Sequence, residues 1–79
     1  MKIDKTLIDH LADNVRSQVV VSTLIEMAHR LQLTVVAEGV ELPEQLHLLQ
    51  TYRCDQIQGF LISKPVPAKM IIELLDNKI

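Results

Sequence analysis

The stretch TVVAEGVELPEQL, Thr34 to Leu46, decides how this chain is read. Its first half is apolar and β-branched and stops at Gly39, which predicts a short buried strand over residues 33–38. Pro43 then stands where the first turn of a helix would begin. Between strand and helix lie Glu38 and Glu41, on either side of a Gly-Val pair. A carboxylate at the rim of an apolar core is costly unless something there uses it.

Upstream of this stretch, Val20, Leu24, Met27, Ala28 and Leu31 recur at helical spacing, with Val21 and Ile25 widening the stripe. Gln18, Ser22, Glu26 and His29 fall on the opposite side. The VVV run at 19–21 favours strand locally, but residues 15–31 are too many for one strand, and a helix is predicted there. Downstream, Leu46 and Leu49 give the buried stripe of a helix from Pro43 to Arg53, which Tyr52 could extend. CDQIQGF at 54–60 reads as a second short strand closed by Gly59. ISKPVP is expected to be a loop, because its two prolines cannot donate to a ladder. A last helix is expected from Ala68 to Asn77, burying Met70, Ile71, Leu74 and Leu75. At the other end MKID supplies a strand tail, and KTLIDHLADN has turn character around Asp13 and Asn14. The resulting alternation of strand and helix implies an α/β fold with a parallel sheet and right-handed crossovers.

Size and composition agree with this. At 79 residues the chain is one domain at most, near the lower limit for a self-sufficient core. It is 48% hydrophobic and 23% charged, with one Phe, one Tyr and no Trp, so aliphatic residues fill the core. Such a mix suits strands buried on both faces beneath helices. A net charge of −2 and a pI near 5.8 give no sign of a nucleic-acid polymer or membrane surface as partner. The lone Cys54 excludes an internal disulfide and is read as a structural thiol in a reducing compartment. With no apolar run long enough to span a bilayer, a cytoplasmic location is expected for this segment. His10, His29 and His47 lie on different elements without metal-ligand spacing and are read as surface residues.

Side chains alternate faces along a strand, so Glu38 shares a face with Val36, Gln58 lies opposite Ile57, and Lys2 lies opposite Ile3. Three segments thus each place a polar residue near the carboxyl end of an apolar strand, where parallel sheets bind ligands. A single glutamate at a strand end is more often a solvated rim residue, and a single glutamine a satisfied core amide. It is the coincidence of an ammonium, a carboxylate and an amide that points to a shared polar site.

These residues carry a resemblance. KIDK at 2–5, VVAEGVE at 35–41, EQLHLL at 44–49 and CDQIQGFLISKPVPA at 54–68 resemble the C-terminal part of the EAL domain, a family of bacterial phosphodiesterases that hydrolyse cyclic di-GMP. The resemblance implies that residues 1–79 are a partial EAL domain, the last three β/α units of a TIM-type (β/α) barrel. It implies that Lys2 stands beside the scissile phosphate and the attacking water, and that Glu38 is a carboxylate of the family's two-metal site. It further implies that Glu41 holds the site loops, that Gln58 ends the last strand, and that Asp4 has only a structural role. SKPVPA resembles a family loop near the guanine end of the substrate or the barrel rim. The family's cofactor would be a pair of Mg²⁺ or Mn²⁺ ions, about 4 Å apart, clamping the attacking and leaving oxygens. A lysine at the same phosphate would stabilise the developing charge.

The sequence also departs from the family. The Glu-Ala-Leu motif, the asparagine and glutamate that follow it, and the Asp-Asp-Phe-Gly segment are not in it. Position 42 is Leu where the family commonly has a capping Thr. A single carboxylate is a poor site for a hard cation that sheds water reluctantly, so no tightly bound metal and no hydrolysis are expected of this chain alone. The first strand is expected to lack its apolar beginning, leaving both sheet edges open and Val36, Gln56 and Phe60 near water or another copy. A homo-oligomer is therefore expected. Besides the catalytic reading, a non-catalytic protein-interaction module, a degenerate cyclic di-GMP binder and a truncated reading frame without an independent role stay open.

Overall fold

A computed structural model describes residues 1–59 and 62–70, with side chains described over 1–59 and 65–70. The elements run β1 (Lys2–Ile3), α1 (Lys5–Asp9), α2 (Val15–Arg30), β2 (Val36–Val40), α3 (Pro43–Thr51), β3 (Gln56–Gly59) and β4 (Ile62–Pro67). They form one sheet in the order β1-β2-β3-β4, parallel as far as β3, with β4 antiparallel to β3.

The register explains which residues are buried. Lys2, Val36 and Gln56 are neighbours across the sheet, and so are Ile3, Ala37 and Ile57. Because side chains alternate, each row faces one way. The row of Ile3, Ala37 and Ile57 is buried against Ile8 and Leu11, Val21, Ile25 and Ala28 of α2, and Leu46 and Leu49 of α3. In the other row Lys2 is exposed and Val36 and Gln56 are half-buried. Beyond Ala37 the register shifts, and Gly39 adopts φ +73°, so that Val40 returns to the core instead of following Val36 and Glu38.

The helix ends are set by local hydrogen bonds. Asn14 Oδ1 accepts from the amides of Arg16 at 2.9 Å and Ser17 at 3.2 Å, capping α2. Asp4 caps α1 by accepting from Thr6 N at 3.0 Å and from the Thr6 hydroxyl, whose bond holds the Asp4 carboxyl below its usual value. Both long helices close on a left-handed residue that is not glycine: Gln32 at φ 61° and Arg53 at φ 65°. Leu33 N then reaches Ala28 O at 2.8 Å, and Cys54 N reaches Leu49 O at 2.9 Å, satisfying carbonyls the helices leave unpaired.

Several expectations are corrected. ISKPVP is not a loop but β4, with Val66 packed against the core and Pro65 and Pro67 exposed on an edge strand, where a missing donor is tolerated. β4 therefore covers the outer edge of β3, which was expected to be open. Residues 10–13 form a turn, next to the expected position at Asp13 and Asn14, but the residues just before it form the short helix α1, which was not expected. The stripe of α2 is rotated: Val21, Ile25 and Ala28 are buried, while Val20, Met27 and Leu31 are exposed along with Val15 and Val19. Residues 68–70 are helical, with Ala68 buried but Met70, expected in the core, exposed. The rest of the helix expected to Asn77 lies outside the described residues, as does Phe60.

His29, expected at the surface with His10 and His47, is instead half-buried and tied to β3. Its Nε2 lies 2.8 Å from Asp55 Oδ2, which also accepts the Val35 amide at 2.8 Å. This carboxylate joins α2 to the starts of β2 and β3. Burial acts to raise the Asp55 carboxyl, but the Val35 amide and His29 outweigh it and hold it below its usual value. A carboxyl lowered on folding stabilises the fold above its unfolded value of about 3.9, and that contribution is lost as pH falls through the folded value. Denaturation midpoints measured from pH 7 down to pH 2 should fall below about pH 4, and Asp55→Asn should flatten that acid limb. An unchanged acid limb in the variant would contradict this role.

Candidate functional site

Parallel strands bring their carboxyl ends to the same side of the sheet, which is how residues 36 and 56 positions downstream of Lys2 meet it. Lys2 comes from β1, Glu38 and Gly39 from β2, and Gln58 and Gly59 from β3; with Lys5 they line an open groove of about 400 Å³. Lys2 Nζ lies 3.6 Å from Glu38 Oε1. The Lys2 side chain is 72% exposed and that of Glu38 32%, so the pair is wet and its attraction is largely screened. The structure thus brings together Lys2, Glu38 and Gln58. Glu41 does not line the groove; its Oε1 lies 3.8 Å from Lys5 Nζ.

Lys5 is the residue that the sequence reading missed. It opens α1, donates to Asp9 Oδ1 at 2.7 Å, and has its ammonium strengthened chiefly by that bond. The available signal was the second lysine of KIDK, three positions after the first. Without a helix assigned to that segment nothing aimed it at the groove. Cys54, half a turn of chain before β3, is buried, and burial pushes its thiol up to about 11. That makes it inert as a nucleophile at neutral pH.

The two glycines of the groove are there for space. A Cβ on Gly39 would stand 2.3 Å from Lys5 Cγ and 2.6 Å from Lys5 Cβ. A Cβ on Gly59, at φ +110°, would stand 2.5 Å from the Val40 carbonyl oxygen and 2.7 Å from Val40 N. The tips of β2 and β3 are therefore packed backbone against backbone at Gly59, while Gly39 makes room for the Lys5 side chain from α1.

A hard divalent cation prefers six or more oxygens, several of them carboxylate. Glu38 is the one carboxylate among the described residues that line the groove, and it faces an ammonium. Among the described residues, no three His, Cys, Asp or Glu side chains cluster closely enough to hold a metal. These residues do not by themselves fit a metal pair.

Residues 1–65 match the family model of the EAL domain. The chain belongs to the EAL domain family. It is 39% identical over 75 residues to the cyclic di-GMP phosphodiesterase NbdA of Pseudomonas aeruginosa, covering 95% of this chain and 10% of NbdA. The chain thus spans about a tenth of the length of such a relative. Among solved structures it is similar to the EAL domain of Mycobacterium smegmatis DcpA, with a TM-score of 0.73 and 34% identity over 96% of this chain and 34% of that one. It is likewise similar to PaMucR phosphodiesterase in complex with c-di-GMP, with a TM-score of 0.72 and 37% identity over 89% of this chain and 28% of that one. The fold expected from the sequence, a portion of the TIM-type β/α barrel of EAL domains, is the fold observed. No helix among the described residues is long and apolar enough to cross a membrane.

The close approaches make the EAL groove sensitive to a single methyl group. Gly59→Ala should cost the fold more than about 1 kcal/mol, because the clashing atoms are backbone and the conformation is one that side chains rarely adopt. Gly39→Ala should cost less, since part of the Lys5 side chain can move aside. Urea melts of the two variants check both the losses and their order.

Proposed function

We propose that this chain supplies one wall of an EAL-type cyclic di-GMP phosphodiesterase site and does not hydrolyse the dinucleotide by itself. The observation that carries this reading is the meeting of Lys2, Glu38 and Gln58 at three parallel strand tips, with Lys2 and Glu38 3.6 Å apart. NbdA is named a cyclic di-GMP phosphodiesterase, and PaMucR phosphodiesterase was solved with c-di-GMP, which supports the same ligand here.

In this reading the Lys2 ammonium faces the phosphate and offsets the negative charge that grows as water attacks. Gln58 offers a carboxamide beside the same oxygens. Glu38 is one oxygen donor of a set whose other members come from chain outside these residues, and Mg²⁺ or Mn²⁺ would be held only by the whole set. Glu41 and Lys5 keep the turn after β2 against α1. A binding role without turnover draws on the same groove: two ammonium groups and an amide suit a phosphodiester with no metal present.

Purified chain incubated with cyclic di-GMP and Mg²⁺ or Mn²⁺ should release no linear dinucleotide; authentic metal-dependent turnover would overturn the proposed inactivity. Calorimetric titration should show weak binding that Lys2→Ala reduces, and an unaltered affinity in that variant would remove Lys2 from the site.

The polar-lined sheet face and the edge of β1 are not covered by a described element, and exposed sheet edges recruit other strands. We propose self-association through the β1 edge. Light scattering should report a mass above 9.0 kDa that rises with concentration; a monomer at all concentrations would exclude it.

A further inference from the structure

Glu38 lies in the part of β2 that the sheet holds least regularly. The ladder between β2 and β3 pairs Val36 with Gln56 and Ala37 with Ile57, then shifts before Val40 meets Gly59. Glu38 and Gly39 fall inside that shift. Lys2 and the Lys5 methylenes touch them, and the turn that follows them offers a further hold.

There the structure places Gln45, the one buried polar side chain among the described residues, 3% exposed. Its Oε1 accepts from two successive amides, Glu41 N at 2.9 Å and Leu42 N at 3.1 Å. Its Nε2 donates to the Ile8 carbonyl of α1 at 3.0 Å. One carboxamide therefore ties the turn after β2 to α1, thirty-seven residues earlier in the chain. The same two segments touch again where the Lys5 methylenes lie against Gly39, and where Lys5 Nζ approaches Glu41. A neutral amide suits the position because it presents an acceptor to the two donors and a donor to the carbonyl at once. No apolar residue does either, and a carboxylate does only the first.

We propose that Gln45 is a positioning residue of the groove, holding the bulged Glu38–Gly39 segment of β2 in place by bracing the following turn against α1. Its hydrogen bonds run to Glu41, Leu42 and Ile8, and it acts through them. The bearing on ligand binding rests on the functional reading above; the brace itself does not.

The test uses the whole chain in three forms: wild type, Gln45→Leu and Gln45→Glu. In wild type, hydrogen exchange followed by NMR should show the Glu41 and Leu42 amides protected; exchange at the rate of an unfolded chain would overturn the brace, whatever the variants do. In Gln45→Leu, the Gly39 amide and Glu38 side-chain resonances should move or broaden while the methyls of Ile25 and Ile57 stay at wild-type positions. Gln45→Glu, which keeps the acceptor, should restore protection of Glu41 and Leu42 and bring Gly39 part of the way back. Unmoved Glu38 and Gly39 resonances in folded Gln45→Leu would overturn the proposal. Cyclic di-GMP titration then separates the two claims: at least a tenfold loss of affinity in Gln45→Leu supports both. A wild-type chain that binds none refutes the ligand while the resonances still decide the brace.

Discussion

The constraint on which the rest depends is the parallel register that sets Lys2 beside Val36 and Val36 beside Gln56. It arises because Ile3, Ala37 and Ile57 must share the face covered by the helices, and a slip of one residue would turn every one of them to solvent. Burial of that row leaves the other row no choice. The same register that hides three apolar residues therefore lifts an ammonium, a carboxylate and an amide to one rim. In this molecule the polar groove is a by-product of core packing, since β1 and β3 are each paired with β2 and not with one another.

Much of this was legible beforehand because strand alternation has a short period and leaves little freedom. The stretches around Val36 and Ile57 could be placed, and so could the side on which Glu38 and Gln58 stand. The phase of α2 was harder: with Val19, Val20 and Val21 all apolar, the helical period is plain but the buried side is not, and packing chose Val21 with Ile25 and Ala28. The ends of α2 and α3 carry Gln32 and Arg53 in left-handed conformations, where a glycine or asparagine would have announced the stop. β4 was hidden by its prolines, whose missing donors are harmless on an edge.

Residues that act across helices were invisible for a different reason. Lys5 and Gln45 are ordinary polar residues in the first turns of their helices, with local partners in Asp9 and in the Glu41 and Leu42 amides. Only the docking of α1 onto the turn after β2 adds Glu41 to the first and the Ile8 carbonyl to the second. His29 and Asp55 are the same case at the opposite end of the sheet, where three elements converge on one carboxylate. Spacing along the chain carries no trace of such pairs, because their separations are set by how the elements pack. Stabilising contacts of this sort hold the scaffold, and the groove inherits its rigidity from them.

The change of parity at Gly39 separates two kinds of selection. Val40 regains the core on its own account, so the side chain at position 38 faces the groove and its Lys2 neighbour and fills no place in the apolar core. Exchange of Glu38 for another polar residue would therefore leave the architecture intact, so a sound fold carries no information on what the groove does.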